Sequence, residues 1–107
     1  MRMIVKFNKE YLEELYHDGR CSDKHHRYQP QVVRKYAMRV ATLKAAPSIE
    51  ALYGLHSLNY EVLIGDKQGI SSVRIDKQYR LEFLVNEEGD DTTITICTLI
   101  DITNHYK

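Results

Sequence analysis

The sequence predicts an α+β fold, with two N-terminal helices packed on one face of a small, mainly antiparallel sheet. Three observations carry this reading. Apolar residues recur at helical spacing between Tyr11 and Leu43, the period falls to two after Gly54, and the links between the later apolar runs are short. The 107 residues suffice for one domain, 1–107, with a single modest core.

Met3, Val5 and Phe7 alternate with Arg2, Ile4 and Lys6, which predicts a first strand over residues 2–7. Asn8 is placed to cap a helix whose apolar face is Tyr11, Leu12, Leu15 and Tyr16, and Gly19 ends it. Residues 20–29 have no period and form a polar connection. Pro30 suits the first turn of a second helix, with Val33, Tyr36 or Ala37, Val40 and Leu43 along one face. Pro47 interrupts that helix, and Ser48 starts a short helical turn over Ile49–Tyr53 that stops at Gly54.

Three alternating runs follow. Val73 and Ile75 alternate with Ser72 and Arg74. Leu81, Phe83 and Val85 alternate with Arg80, Glu82 and Leu84. Ile94, Ile96 and Ile100 alternate with Thr93, Thr95, Cys97 and Asp101. The links Asp76–Gln78 and Asn86–Asp91 suit antiparallel hairpins. If Val73, Ile75, Leu81, Phe83, Ile94 and Ile96 face the helices, then Arg74, Arg80, Glu82 and Asp101 share an open opposite face, with the two arginines side by side.

Net charge is zero, but its distribution is uneven. From Arg20 to Lys44 the net charge is +6, whereas Asn86–Asp91 carries −4 in six residues. That asymmetry is compatible with phosphate contact on one side, although charge alone favours a solvated helix face and a solvated hairpin tip. Cys21 and Cys97 lie far apart without CxxC spacing, and no signal peptide or membrane-length apolar run is present, so two free thiols in a reducing cytoplasm are expected. His17, Cys21, His25 and His26 lack a second clustered pair of ligands, so no metal site is expected, and no cofactor motif is present.

The chemistry-bearing residues collect late in the chain. His56 follows the short helical turn, Arg74 and Arg80 stand on adjacent strands, and Asp101, His105 and Tyr106 lie near the C-terminus. RNA cleavage by transphosphorylation needs a base for the 2′-hydroxyl, an acid for the departing 5′-oxygen and cations for the charged phosphorane. Histidine suits the first two roles and arginine the third. Tyr79 is read as packing at the sheet edge.

In order and type, these residues resemble the HigB branch of the RelE/ParE toxin superfamily, the plasmid maintenance killer proteins. The family pattern L-H-x-L, L-K-G-D, V-R and Y/W-R-[IL] is met by Leu55-His56-Ser57-Leu58, Leu63-Ile64-Gly65-Asp66, Val73-Arg74 and Tyr79-Arg80-Leu81. The match covers residues 50–107 well and the helical half loosely. It implies a RelE-like fold and a metal-independent endoribonuclease that cleaves messenger RNA in the ribosomal A site. The partner it implies is a HigA-like helix-turn-helix antitoxin, with operator DNA reached only through that antitoxin and no membrane contact. His56 and His105 would then share proton transfer, Arg74 and Arg80 would stabilise the phosphorane, and Asp101 and Tyr106 would orient or assist. Ile64 stands where the family has lysine, leaving Lys67 or Lys107 to replace that cation, and the loop between His56 and Gly65 is longer than the family's. The alternatives are a ParE-like gyrase poison and a non-catalytic toxin-fold partner acting in operator repression.

Overall fold

The structure, a computed structural model, describes residues 2–88 and 94–104. Five strands form one sheet in the order β1-β5-β4-β3-β2: β1 (Arg2–Phe7), β2 (Glu61–Val62), β3 (Ser71–Arg74), β4 (Tyr79–Glu88) and β5 (Ile94–Asn104). Among the described residues, only β1 pairs in parallel, with β5, from Arg2↔Ile94 to Phe7↔Leu99; the other pairings are antiparallel. The α+β architecture and the mainly antiparallel sheet are therefore as expected.

Helix α1 (Glu10–Asp18) follows β1 and ends at Gly19, whose φ of 78° is left-handed and whose N–H reaches the Leu15 carbonyl at 3.1 Å. Asn8 does not cap it. Lys9 holds the cap position, and the Asn8 N–H instead donates to the Leu99 carbonyl at 2.9 Å, continuing the pairing of β1 with β5. Helix α2 (Pro30–Ala45) begins at its proline, and α3 (Ile49–Tyr53) is capped by Ser48, whose hydroxyl accepts the Ala51 N–H at 3.1 Å. The polar connection before α2 contains a 3-10 turn, Lys24–His26, capped by the Asp23 carboxylate.

Leu12, Leu15, Tyr36, Val40, Leu43 and Leu52 meet Val73, Leu81, Phe83, Cys97 and Leu99 in one core. Tyr36 rather than Ala37 fills the helix face. Its buried hydroxyl donates to the Leu12 carbonyl at 2.6 Å, joining α2 to α1.

The expected facing of β5 is reversed. Thr95, Cys97 and Leu99 point to the core, and Ile94 and Ile96 lie on the outer face. Parity follows from register, and β5 is set by Val5↔Cys97 and Val85↔Cys97, which place the thiol row inside. A bulge between Glu82↔Asp101 and Phe83↔Leu99 leaves Ile100 unopposed and returns Ile102 to the core. The link expected at Asn86–Asp91 starts later, because β4 runs through Glu88; the remainder lies outside the described residues.

Candidate active site on the outer face of the sheet

Arg74 and Arg80 are direct cross-strand partners, so both side chains leave the sheet on the face opposite the helices. Ser72 and Glu82 are the next pair on that face. The four residues form a polar square set by alternation alone.

That face is not open over the whole square. Arg80 and Glu82 are each 6% exposed, while Arg74 is half-buried. The Arg80 guanidinium lies across β3, donating from Nε to Ser72 Oγ at 2.6 Å and from Nη2 to the carbonyls of Asn59 at 2.7 Å and Ser72 at 3.2 Å. Glu82 takes Lys67 Nζ at 2.9 and 3.2 Å, which brings the 3-10 turn Gly65–Lys67 over the sheet. A buried carboxylate and a buried guanidinium both require such partners. Burial pulls the Arg80 pKa below its usual value, Glu61 and Glu82 oppose that shift, and Arg74, a like charge, reinforces it. The guanidinium stays protonated, so this face carries a fixed positive charge.

Arg74 is differently placed. Its Nε donates to the Asp76 carbonyl at 3.2 Å, and its own carbonyl receives Arg39 Nε at 2.7 Å. The turn below it is held by the Asp76 carboxylate, which accepts the N–H groups of Gln78 and Tyr79 at 2.8 and 2.7 Å. Tyr79 packs edge-on against Tyr28, with ring centroids 5.1 Å apart.

His56 is exposed and opens a 3-10 turn over His56–Leu58 that packs against β3. Leu58 anchors this turn in the core, and Asn59 closes it in the left-handed region, at φ 46°. Asparagine tolerates that conformation better than most residues. The His56 turn and the arginine pair thus adjoin, joined by the bond from Arg80 to the Asn59 carbonyl.

Asp101 departs from expectation. Its backbone pairs with Glu82, but its carboxylate accepts the Tyr11 hydroxyl and meets Lys9 Nζ at 3.3 Å. The cause is the length of β1. Its pairing stops at Leu99, so the outer edge of β5 beyond that point is bare, and Tyr11 at the start of α1 fills it, its oxygen also accepting the Ile102 N–H at 2.9 Å. Burial, with the Asp101 carboxylate next in order, drives the Tyr11 pKa far above the usual phenol value. His105 and Tyr106 lie outside the described residues. Asn104, which precedes them, pairs with Tyr79, and Thr103 pairs with Arg80, so β5 ends alongside the arginine strand.

The sequence reading missed Ser72 and Asn59 as partners of this face, although Ser72 shares the parity of Arg74, and it offered Lys67 as a replacement cation without its bond to Glu82. Among the described residues, no group of three His, Cys, Asp or Glu side chains is arranged to hold a metal ion. A cavity of about 770 Å³ lies apart from Arg74 and Arg80, at the end of α1, lined by residues that include Asp18, Arg20, Cys21, His26 and Tyr28. It opens to solvent without a converging pair of catalytic groups, whereas the outer face brings a histidine turn and two cations together.

The family described as the HigB-like toxin, a RelE-like toxin of the type II toxin–antitoxin system HigB, matches residues 5–95. Toxin HigB-1 of Vibrio cholerae serotype O1 is 33% identical over 82 residues, covering 76% of this chain and 82% of the relative. The YoeB/ParE toxin from Agrobacterium tumefaciens superposes with a TM-score of 0.57 at 20% identity, over 99% of this chain and 100% of the other, a likeness of fold. This chain belongs to the HigB-like toxins of type II toxin–antitoxin systems. An antitoxin is accordingly its partner, and the gyrase-poison and non-catalytic alternatives are not favoured. No helix among the described residues is long and apolar enough to cross a membrane.

Proposed function

We propose that this chain, acting as a single domain over 1–107, is a cytoplasmic, metal-independent endoribonuclease that cuts messenger RNA on the ribosome. A HigA-like helix-turn-helix antitoxin restrains it and alone carries it to operator DNA. The observation that supports this most is the direct pairing of Arg74 with Arg80 on a face bordered by the His56 turn. Arg74, half-exposed, meets the non-bridging oxygens of the scissile phosphate, and Arg80 adds fixed positive charge behind it. Lys67, half-exposed above Glu82, supplies the cation that Ile64 does not. His56 and His105 share proton transfer, one activating the 2′-hydroxyl and the other protonating the 5′-oxygen, roles that an imidazole fills by accepting or donating a proton. Tyr106 assists at the end of β5. Asp101 acts indirectly, fixing the last turn of β5 through Tyr11.

The test is cleavage of messenger RNA on purified ribosomes in magnesium buffer, using protein treated with a chelator and dialysed beforehand to strip any bound metal. Wild-type protein should cut. Deletion of 105–107 should abolish cutting while leaving antitoxin binding and thermal stability nearly unchanged. DNA breaks in expressing cells with messenger RNA intact would replace this reading by gyrase poisoning.

A further inference from the structure

Two arginines stand side by side, but their guanidinium groups are not equivalent. Arginine grips an oxyanion through two parallel N–H groups on one edge of its plane. In Arg80 the edge formed by Nε and Nη2 is occupied by Ser72 Oγ, the Ser72 carbonyl and the Asn59 carbonyl, all within 3.2 Å. The side chain is 6% exposed and Ser72 1%. These are neutral acceptors of the protein's own chain, and one of them belongs to the residue that closes the His56 turn.

We propose that Arg80 is a positioning residue: its guanidinium ties the left-handed Asn59 corner to β3 and so sets the placement of His56, while Arg74 is the arginine that meets RNA. The proposal rests on the nuclease reading for what the placement achieves. The tether itself is a property of the free protein.

Three features make the tie effective. Asn59 N–H closes on the His56 carbonyl at 3.1 Å, so pulling on the Asn59 carbonyl moves the peptide next to the histidine. Leu58 fixes the other side of the turn in the core. Ser72 holds the guanidinium plane flat on β3, leaving Arg80 little freedom to swing toward a ligand. Further along the loop Tyr60 donates to Ser71 Oγ at 2.8 Å and Lys67 bonds Glu82, so the strand pair β3–β4 grips the segment at successive points. A lysine at 80 would keep the charge but offers no fork to reach Ser72 and Asn59 together.

The experiment uses the whole chain and reads the His56 imidazole by carbon–proton NMR, assigned by its loss in His56→Gln, beside single-turnover cleavage. Ser72→Ala removes the acceptor of Arg80 Nε at a position RNA does not reach; Arg80→Lys removes the fork. Both should shift the His56 resonance, and lower kcat by roughly ten- to a hundredfold with KM little changed, as expected for a displaced catalytic group. Arg74→Ala should leave the His56 resonance in place and weaken binding of an uncleavable 2′-deoxy-substituted RNA. The proposal is overturned if the His56 signal is identical in wild type, Ser72→Ala and Arg80→Lys, or if Arg80→Lys loses RNA affinity as Arg74→Ala does. Should Arg80→Lys not fold, Ser72→Ala decides alone. If wild-type protein leaves RNA intact while the His56 signal still follows Ser72 and Arg80, the nuclease reading fails and the tether stands.

Discussion

On the helix side of the sheet Val73, Leu81, Phe83, Cys97 and Leu99 are fully buried against side chains that touch them without direction. On the outer side Ser72, Arg80 and Glu82 are nearly as buried, yet they are held by hydrogen bonds or an ion pair with a defined partner. Apolar burial tolerates small shifts and supplies most of the stability. Directed polar contacts add little net stability, but a group that loses its partner is costly, so they fix position. The same sheet thus has one face that keeps it folded and one that keeps a loop in register with its cations.

The sharpest way to break this contrast is to cut on each side. Phe83→Ala, in the centre of the core, should destabilise by about 3–5 kcal/mol, read by urea unfolding, and should lower antitoxin binding and cleavage together. Arg74→Ala should slow cleavage about a hundredfold, on the order of 3 kcal/mol, with stability changed by no more than about 0.5 kcal/mol. A large loss of stability from Arg74→Ala would erase the distinction between the faces. Between these extremes, Glu82→Gln should cost about 1–2 kcal/mol in urea unfolding, because it removes the carboxylate that holds Lys67 and offsets the charge of Arg80. A further effect is on pH, confined to the alkaline range. Burial pushes the Cys97 thiol from 9.0 up to about 11. The neutral thiol is the native form, so its contribution is complete below pH 9.0 and is lost as pH rises through about 11. Unfolding curves across that interval should show the decline, and it should be shallower in Cys97→Ala.

Sequence period alone located the strands at the N-terminus and after residue 70, both long helices and the Ser48 cap, because each has a local signature. It also placed Arg74 and Arg80 on one face, since a short link between two alternating strands fixes their parity. What it misjudged depended on distant partners. The isoleucines of β5 outweigh Thr95 and Cys97 in hydrophobicity, yet register with β1 and β4 turns the smaller residues inward. Asp101 was drawn from the arginines by the point at which β1 stops, which no local pattern records. The loop from 57 to 69 gave no period, so neither its two-residue strand β2 nor its hold on Arg80 and Glu82 was legible.

The sheet order has a consequence for how the chain assembles. Among the described residues, β5 is the strand that joins β1 to the hairpin of β3 and β4 within the sheet. Arg2 therefore waits for a partner at Ile94, a closure that spans most of the described chain and is slow because loop entropy must be overcome before the contact is made. As the polypeptide is synthesised from its N-terminus, β1 and the hairpin of β3 and β4 stay unjoined within the sheet until β5 pairs with both. A protein proposed to attack translating ribosomes therefore completes its sheet, and the strand that runs beside Arg80, only after nearly all of the described chain has been made.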